Sequence, residues 1–251
     1  MSTSGFEQVV KTHVGCRRKL NEDAVLACPD HRIWAVADGM GGHDAGEVAS
    51  ASVVEALSKC STKDEIVAAL ADVNAHLVEM ARTGFDSRTV GSTVVGLVVE
   101  EHGFTCFWAG DSRAYCIRDG AITRLSRDHS LVQDLVDAGM IDEAAAEIHP
   151  NANVITRAVG ASDHLHVETV TGDVRPNDLF LLASDGLTRL ITDDELLVGL
   201  SGHDLEDEAE QLLHTTLDRG APDNVSLILI RATDTPVAAA PMVLMHGHFE
   251  P

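Results

Sequence analysis

Basic side chains are scarce in this sequence. Only 18 Lys and Arg stand against 40 Asp and Glu, and the formal net charge is -22. Such a chain has no general basic surface with which to bind nucleic acid or an anionic membrane. The excess of carboxylates leaves room for a strongly anionic site that captures cations.

Paired cysteine motifs and long apolar runs are also absent. The five cysteines are odd in number and show no CxxC or Cys/His zinc spacing, which favours a reduced, cytoplasmic setting. The first 25 residues lack a basic-then-apolar leader pattern, and no apolar run approaches the ~20 residues that span a bilayer. We therefore expect a cytoplasmic protein that does not insert into membranes.

Several common catalytic signatures are missing. The sequence contains no GxxxxGK phosphate loop, no GxSxG nucleophile turn and no HExxH zinc motif. None of the five cysteines begins a CxxxxxR phosphate loop. These absences exclude the commonest hydrolases of other folds and the phosphatases that use a cysteine nucleophile.

With 251 residues and 45% hydrophobic side chains, the chain can bury a large core. Hydrophobic periodicity predicts strands at 6–15, 24–37 (broken by a turn at 29–31), 92–100, 103–109, 112–118, 121–125, 166–171, 178–183 and 225–231. It predicts helices at 45–58, 63–82, 130–138, 142–148, 193–200 and 204–218. Glu101-His102, Gly110-Asp111 and Asp119-Gly120 are each expected to close a hairpin.

This order of elements is typical of an α+β fold. We expect one domain over residues 1–231, with two antiparallel sheets and helices on their outer faces. The Pro- and Ala-rich stretch 232–251 is expected to be a loose, disordered tail.

Five aspartates stand at the ends of strand-like runs, each beside a turn-forming residue. They are Asp23, Asp38, Asp111, Asp185 and Asp223. Singly, each is an ordinary turn residue. If several converge, each pair at ~4 Å costs roughly 4 kcal/mol, so the group needs a cation or some of its members must be protonated. All-oxygen ligands favour Mg²⁺ or Mn²⁺. Spacing along the chain does not show whether they converge.

Seven motifs resemble the metal-dependent protein phosphatases, the type 2C serine/threonine phosphatases in their compact bacterial form. In chain order they are RKLNED (18–23), AVADGMGGHDAGEVAS (35–50), GDSRAY (110–115), RDHSLVQDLVDAG (127–139), VITRAVG (154–160), LLASDGL (181–187) and APDNVSLILI (221–230). The resemblance implies a four-layer αββα sandwich, in which two antiparallel sheets are flanked by pairs of helices and a metal centre lies at one end.

The resemblance also implies the role of each site residue. Asp38 would bridge two metals with help from the Gly39 carbonyl, Asp185 and Asp223 would bind the first metal, and Glu22 and Asp23 would serve the second. Asp111 would hold a third, weaker metal, and Arg18 would bind the substrate phosphate. The cofactor would be Mn²⁺ or Mg²⁺.

Two such cations ~3.5–4 Å apart could share a water and lower its pKa, leaving it hydroxide-like and able to attack phosphorus in line. The leaving alkoxide benefits from a proton donor. Animal-type members carry a histidine directly after Asp-Gly, where this chain has Met40. His43, three residues further on, is the candidate for that role, and a purely local hydrogen bond is its alternative.

Some remaining features are expected to be structural. Ser130 is predicted to cap a helix, Arg113 to pair with a carboxylate, and both Trp34 and Trp108 to lie in the core. Residues 128–157 are expected to form a flap that influences substrate choice.

Three functions remain open at this level. The leading one is an active phosphatase that dephosphorylates serine and threonine on proteins and so counteracts a bacterial kinase. The others are a silent relative that binds phosphoproteins without cleaving them, and a hydrolase of small phosphate esters. The partners would be phosphorylated proteins, including a cognate kinase, and the chain is expected to act as a monomeric, bare catalytic domain. A resemblance of residues 14–23 to secretion-associated members, including the type VI system, is weaker.

Overall fold

A computed structural model describes residues 5–41, 45–83, 90–101, 103–202, 204–233 and 247–248. The strands are β1 (Phe6–His13), β2 (Asp23–Cys28), β3 (Ile33–Met40), β4 (Gly91–Ser92), β5 (Val94–Glu100), β6 (Gly103–Ala109), β7 (Arg113–Arg118), β8 (Ala121–Arg124), β9 (Glu168–Gly172), β10 (Leu179–Ala183), β11 (Val225–Ala232) and β12 (Gly247–His248). The helices are α1 (Ala45–Leu57), α2 (Lys63–Thr83), α3 (Leu131–Asp137), α4 (Glu143–Glu147), α5 (Asp185–Thr188), α6 (Asp193–Gly199) and α7 (Leu205–Asp218).

The strands form two antiparallel sheets. One has the order β1-β11-β10-β7-β8, and the other has the order β12-β9-β6-β5-β3-β2 with β4 paired to β3. The first strand of the chain and the last long strand, β1 and β11, pair along their whole length. The site therefore depends on pairings between residues about 200 positions apart.

Alternation along the strands divides the core into layers. In β3, Trp34 and Val36 face the opposite sheet, whereas Ile33, Ala35 and Ala37 face α1 and α2. The other sheet turns its outer face to α5, α6 and α7. Because successive side chains of a strand point to opposite faces, a strand covered on both sides is apolar throughout. The four-layer α+β architecture expected from the sequence is confirmed.

One turn differs from the prediction, and it lies at the site. Glu101 and Asp119-Gly120 do lie between paired strands, but Gly110-Asp111 does not close a hairpin, because β6 and β7 belong to different sheets. Gly110 has φ +126°, and a Cβ there would lie 2.5 Å from the Cβ of Thr93. Only glycine allows this close crossover between the sheets.

Three short elements were not predicted: β4, α5 and β12. Each has five residues or fewer, too few to show a period in the sequence. The expected tail is corrected at its edges, since Ala232 belongs to β11 and Gly247–His248 pairs with β9. Residues 234–246 and 249–251 lie outside the described part of the chain. Among the described residues, no helix is both long and apolar enough to cross a membrane.

Candidate metal centre

The five aspartates lie at one end of the sandwich. Asp38 lies near the end of β3, directly opposite Asp23 at the start of β2. The other three follow β6, follow β10 and precede β11; they are Asp111, Asp185 and Asp223. In an antiparallel sheet one strand ends where its neighbour begins, so residues far apart in the chain meet at one edge.

Gly39 allows α1 to approach this edge closely. A Cβ on Gly39 would lie 2.0 Å from the carbonyl oxygen of Gly46 in the first turn of α1, and 2.7 Å from the carbonyl oxygen of Glu22. Its N–H donates to that Glu22 carbonyl at 3.1 Å, and Ser50 of α1 donates to the same oxygen at 2.6 Å. Gly39, Glu22 and the start of α1 therefore form one tightly packed wall of the site.

Asp38 is held through its main chain. Its N–H donates to the Thr93 hydroxyl at 3.1 Å, and its carbonyl accepts from the Thr93 N–H at 2.8 Å. Burial raises the pKa of the Asp38 carboxyl well above its usual value, and the negative charges of the other four aspartates raise this pKa further. Asp38 thus lies at the centre of the carboxylate cluster.

Asp23 and Asp111 share this electrostatic environment. Burial, opposed by serine hydrogen bonds and reinforced by neighbouring carboxylates, raises the pKa of Asp23 to about 7. The Ser184 hydroxyl donates to its Oδ2 at 2.9 Å. Burial and the charge of Asp185 raise the pKa of Asp111 to about 7, although the Arg189 guanidinium opposes this rise. Near neutral pH these carboxyls need a positive neighbour to ionise fully.

Three buried carboxylate oxygens of the cluster have no hydrogen-bond partner: Asp23 Oδ1, Asp111 Oδ1 and Asp185 Oδ1. A buried unpaired acceptor costs about 1–3 kcal/mol, and more when charged, so three at one edge favour a ligand that takes oxygen donors. The donor set is all oxygen, which suits Mn²⁺ or Mg²⁺. The residues present therefore fit a divalent-cation centre.

The side chains are not already arranged as a cage. Across the described residues, no group of three His, Cys, Asp or Glu side chains has the geometry to hold a metal ion. Guanidinium groups pair with several of the carboxylates instead. Arg18 donates to Asp223 at 2.8 Å, and Arg189 lies 2.9 Å from a carboxylate oxygen of both Asp111 and Asp185.

Arg18 sits at the open rim of the site. Its side chain is 49% exposed, and its Nη1 atom lies 4.0 Å from Glu22 Oε2. The hydrogen bond to Asp223, together with the charges of Asp223, Glu22 and Asp38, raises the pKa of Arg18. A charged, half-exposed guanidinium beside the carboxylates can reach an anion that enters the cluster.

Two residues of the site were missed in the sequence. Asn224 accepts from the Glu22 N–H at 2.8 Å and donates to the carbonyls of Val14 and Leu20, both at 2.9 Å, so it ties the Arg18 loop to β11. Arg189 lies four residues after Asp185, a spacing that places both side chains on one helical face. In the sequence, Asn224 directly follows Asp223, and Arg189 follows Asp185 by about one helical turn. These two spacings could have indicated both residues.

His129 supports the crossover at Gly110-Asp111 through a hydrogen bond. Its Nδ1 accepts from the Gly110 N–H at 3.1 Å, its ring stacks on Trp108, and its Nε2 lies 3.3 Å from Glu168. Burial lowers the pKa of His129, although Glu168 opposes this shift, so the ring is neutral at pH 7. It acts as a structural support for Asp111.

The expected supporting residues are confirmed where they are described. Ser130 caps α3 by accepting from the Gln133 N–H, and Arg113 pairs with Asp128. Trp34 and Trp108 are buried. His43, the candidate proton donor, lies outside the described residues.

A family model for protein phosphatase 2C matches residues 16–228. That match includes the crossover and every aspartate of the cluster. The chain belongs to the protein phosphatase 2C family.

Individual relatives agree with this assignment. The serine/threonine protein phosphatase PstP of Mycobacterium tuberculosis is 34% identical over 228 residues, which cover 88% of this chain and 44% of PstP. The chain thus spans less than half the length of that relative. The structure of PppA, a key regulatory component of T6SS in Pseudomonas aeruginosa, is 40% identical with TM-score 0.83, covering 90% of this chain and 97% of PppA. The PstP catalytic domain, solved with two manganese ions, is 30% identical with TM-score 0.80 and coverages of 91% and 99%.

Proposed function

We propose that this chain is a metal-dependent protein serine/threonine phosphatase, which hydrolyses phosphoserine and phosphothreonine on proteins. The observation that carries the proposal is the convergence of five aspartates with three buried, unpartnered oxygens at one edge. Such a cluster suits divalent cations, which can in turn bind and polarise a phosphate ester. Family membership over residues 16–228 supports the same activity.

The assignment of the ligands follows the sequence expectations. Asp38 and the Gly39 carbonyl, with Glu22, Asp23, Asp185 and Asp223, would hold two Mn²⁺ or Mg²⁺ ions; Asp111 would serve a third, weaker site. When bound, the ions supply Lewis acidity and lower the pKa of a shared water. The low exposure of Asp111 and Asp185 reduces solvent screening, which strengthens the charge interactions around them.

Arg18 has the geometry of a phosphate anchor. A phosphate dianion entering the cluster meets many negative charges, so positive charge at the rim decides whether it binds. Arg18 is charged, half-exposed and held near the cluster by Asp223. A planar guanidinium offers two parallel donors to the non-bridging oxygens.

His43 remains the proposed proton donor to the leaving serine or threonine oxygen. In the sequence it follows Met40 by three residues and precedes Ala45, where α1 begins. Protonation of the leaving oxygen typically speeds its departure by about 10²–10⁴-fold.

The partners follow from the chemistry. We infer that the substrates are phosphorylated proteins, including a cognate serine/threonine kinase, and that the enzyme works as a cytoplasmic monomer. Residues 128–157, which would form a flap, include α3, α4 and the turn that contains Asn153. The excess of acidic residues argues against nucleic-acid partners.

The direct test is phosphate release from a phosphothreonine peptide with Mn²⁺, with Mg²⁺ and with EDTA. We expect hydrolysis that requires either ion and stops in EDTA. Asp38→Asn should abolish it, whereas Asp163→Asn, at an exposed aspartate paired with Arg82, should not. No hydrolysis by a folded, metal-loaded sample would contradict the proposal and favour a silent phosphoprotein-binding module.

A finer proposal concerns the pathway. The 40% identity with PppA over 90% of the chain favours a role in regulating a T6SS. Expression of this chain in Pseudomonas aeruginosa lacking PppA tests it, with Asp38→Asn as the control. Restored regulation by the unchanged chain alone would support the role, and failure of a well-expressed chain would count against it.

A further inference from the structure

A single guanidinium bridges two of the cluster's carboxylates. Arg189 Nη2 lies 2.9 Å from Asp111 Oδ2 and 2.9 Å from Asp185 Oδ2. Both carboxylates are buried, with side-chain exposures of 5% and 12%. One positive group therefore neutralises part of a buried, doubly negative pair.

The same arginine reaches out of the cluster. Its Nη1 donates to the side-chain oxygen of Asn153, an exposed residue in the turn before Val154. That turn is connected to α3, because the Leu131 N–H donates to the Val154 carbonyl at 2.9 Å. Arg189 thus connects the carboxylates to residues 128–157.

The charges around Asp111 and Asp185 determine whether this pair can also bind a metal cation. Asp38, Asp23 and Asp223 add further negative charge nearby. A divalent cation bound by Asp111 and Asp185, even at their unpartnered Oδ1 atoms, would lie close to the guanidinium on their Oδ2 atoms. At ~4 Å and an effective dielectric near 20, each like-charge contact costs several kcal/mol. Arg189 and a divalent cation therefore compete for the pair.

We propose that Arg189 is an internal competitor of the divalent cation at the Asp111–Asp185 pair, and that its displacement releases the Asn153 turn. The inference rests on the proposed metal centre and deepens it. Occupancy of the weakest cation site and attachment of the turn then exclude one another. Because linkage is reciprocal, any change that weakens the Asn153 contact must also strengthen cation binding.

Mn²⁺ titration of the chelator-treated full chain, by calorimetry with free Mn²⁺ followed by electron paramagnetic resonance, tests the competition. We expect Arg189→Gln to tighten the weakest Mn²⁺ binding step by about tenfold or more, since the charge that opposes it is gone. Asn153→Ala should tighten that step by about two- to threefold, as a lost neutral contact would. Arg82→Gln, which removes an equal charge from an exposed ion pair, is the matched control and should leave the step unchanged.

Arg189→Lys separates competition from damage to the fold. It keeps the charge but loses the fork, so its effect should fall between those of the wild type and Arg189→Gln. Unchanged or weaker Mn²⁺ binding in Arg189→Gln would overturn the proposal.

Amide hydrogen exchange in residues 151–156 gives a second readout. Saturating Mn²⁺ should speed exchange in the wild type, whereas Arg189→Gln should exchange fast with or without Mn²⁺. A turn equally protected in all forms would overturn the release step.

These readouts do not depend on turnover. Hydrolysis together with an unshifted Arg189→Gln titration would remove this inference alone. A shifted titration without hydrolysis would remove the proposed activity alone.

Discussion

The two ends of the sandwich bury aspartates in opposite ways. At the end away from the metal centre, Arg118 donates to both oxygens of Asp178, at 2.7 and 2.6 Å, and to Asp173 at 3.1 Å. Burial alone would raise the pKa of Asp173, but hydrogen bonds from Arg175 and Arg118 outweigh it and lower the pKa below its usual value. At the aspartate cluster, burial dominates and mutual repulsion adds to it, so the pKa values of Asp23, Asp38 and Asp111 rise.

The comparison separates structural carboxylates from functional ones. Asp173 and Asp178 are as little exposed as Asp111 and Asp185, so low exposure alone does not mark the site. The difference lies in compensation, because arginines satisfy one end and leave three oxygens unpartnered at the other. A cluster of perturbed carboxyls at a rim is a functional candidate because folding alone gains nothing from it.

The largest effect on activity is expected from a substitution in the aspartate cluster. Asp38→Asn should lower phosphate release by at least about 10³-fold, because the central charge of the cluster is lost while shape is kept. The metal-free fold should become no less stable, since a repelled, buried charge is removed. Phosphopeptide turnover and thermal unfolding in EDTA check both parts. Near-normal turnover would refute the assignment of Asp38.

At the opposite end of the sandwich, a substitution should lower stability and leave turnover unchanged. Arg118→Gln should lower the free energy of unfolding by about 3 kcal/mol, because it leaves Asp178 buried without its charged donor and leaves Asp173 with Arg175 alone. Turnover per folded molecule should stay unchanged. Urea unfolding and phosphopeptide kinetics measure the two quantities, and a selective loss of turnover would contradict the structural role of Arg118.

The raised pKa values in the aspartate cluster should make the stability of the metal-free protein depend on pH. Asp23 and Asp111 have folded pKa values of about 7, above the usual 3.8, so the folded chain binds more protons than the unfolded chain between about pH 4 and pH 7. Stability should then fall as pH rises through that window, because deprotonation of these carboxyls is easier in the unfolded chain.

Unfolding followed in EDTA from pH 4.5 to pH 8 measures this slope. Mn²⁺ should reduce or reverse it, because a cation stabilises the ionised carboxylates. A metal-free protein whose stability rises across the window would contradict the repulsion among these aspartates.

The smallest effect is expected at the rim. Arg18→Ala should raise KM for a phosphopeptide by about tenfold, as loss of one charged hydrogen-bonding group would. Mn²⁺ affinity should change much less. Arg17→Ala, at the neighbouring exposed arginine, is the matched control. Equal KM values for the two variants would remove the phosphate role of Arg18.

Much of the architecture was predictable because it is local. The apolar runs of β5 and β6 appear in the structure where periodicity placed them. Helix α2 also begins where periodicity placed it, and Thr62 and Glu65 form a reciprocal capping box at its start. The crossover at Gly110 was predicted wrongly, since Gly-Asp is also a common hairpin turn. Choosing between the two requires knowing which sheet β7 joins.

The sequence by itself determined which residues could bind cations: aspartates beside glycine and asparagine, at the ends of apolar strands, in a chain with few basic groups. It did not determine that they meet, nor that Arg189 bridges Asp111 and Asp185. Those facts depend on the pairing of β1 with β11 and on the crossover between sheets. Long-range pairing decides them because carboxylates interact through distance in space, which separation along the chain does not reveal.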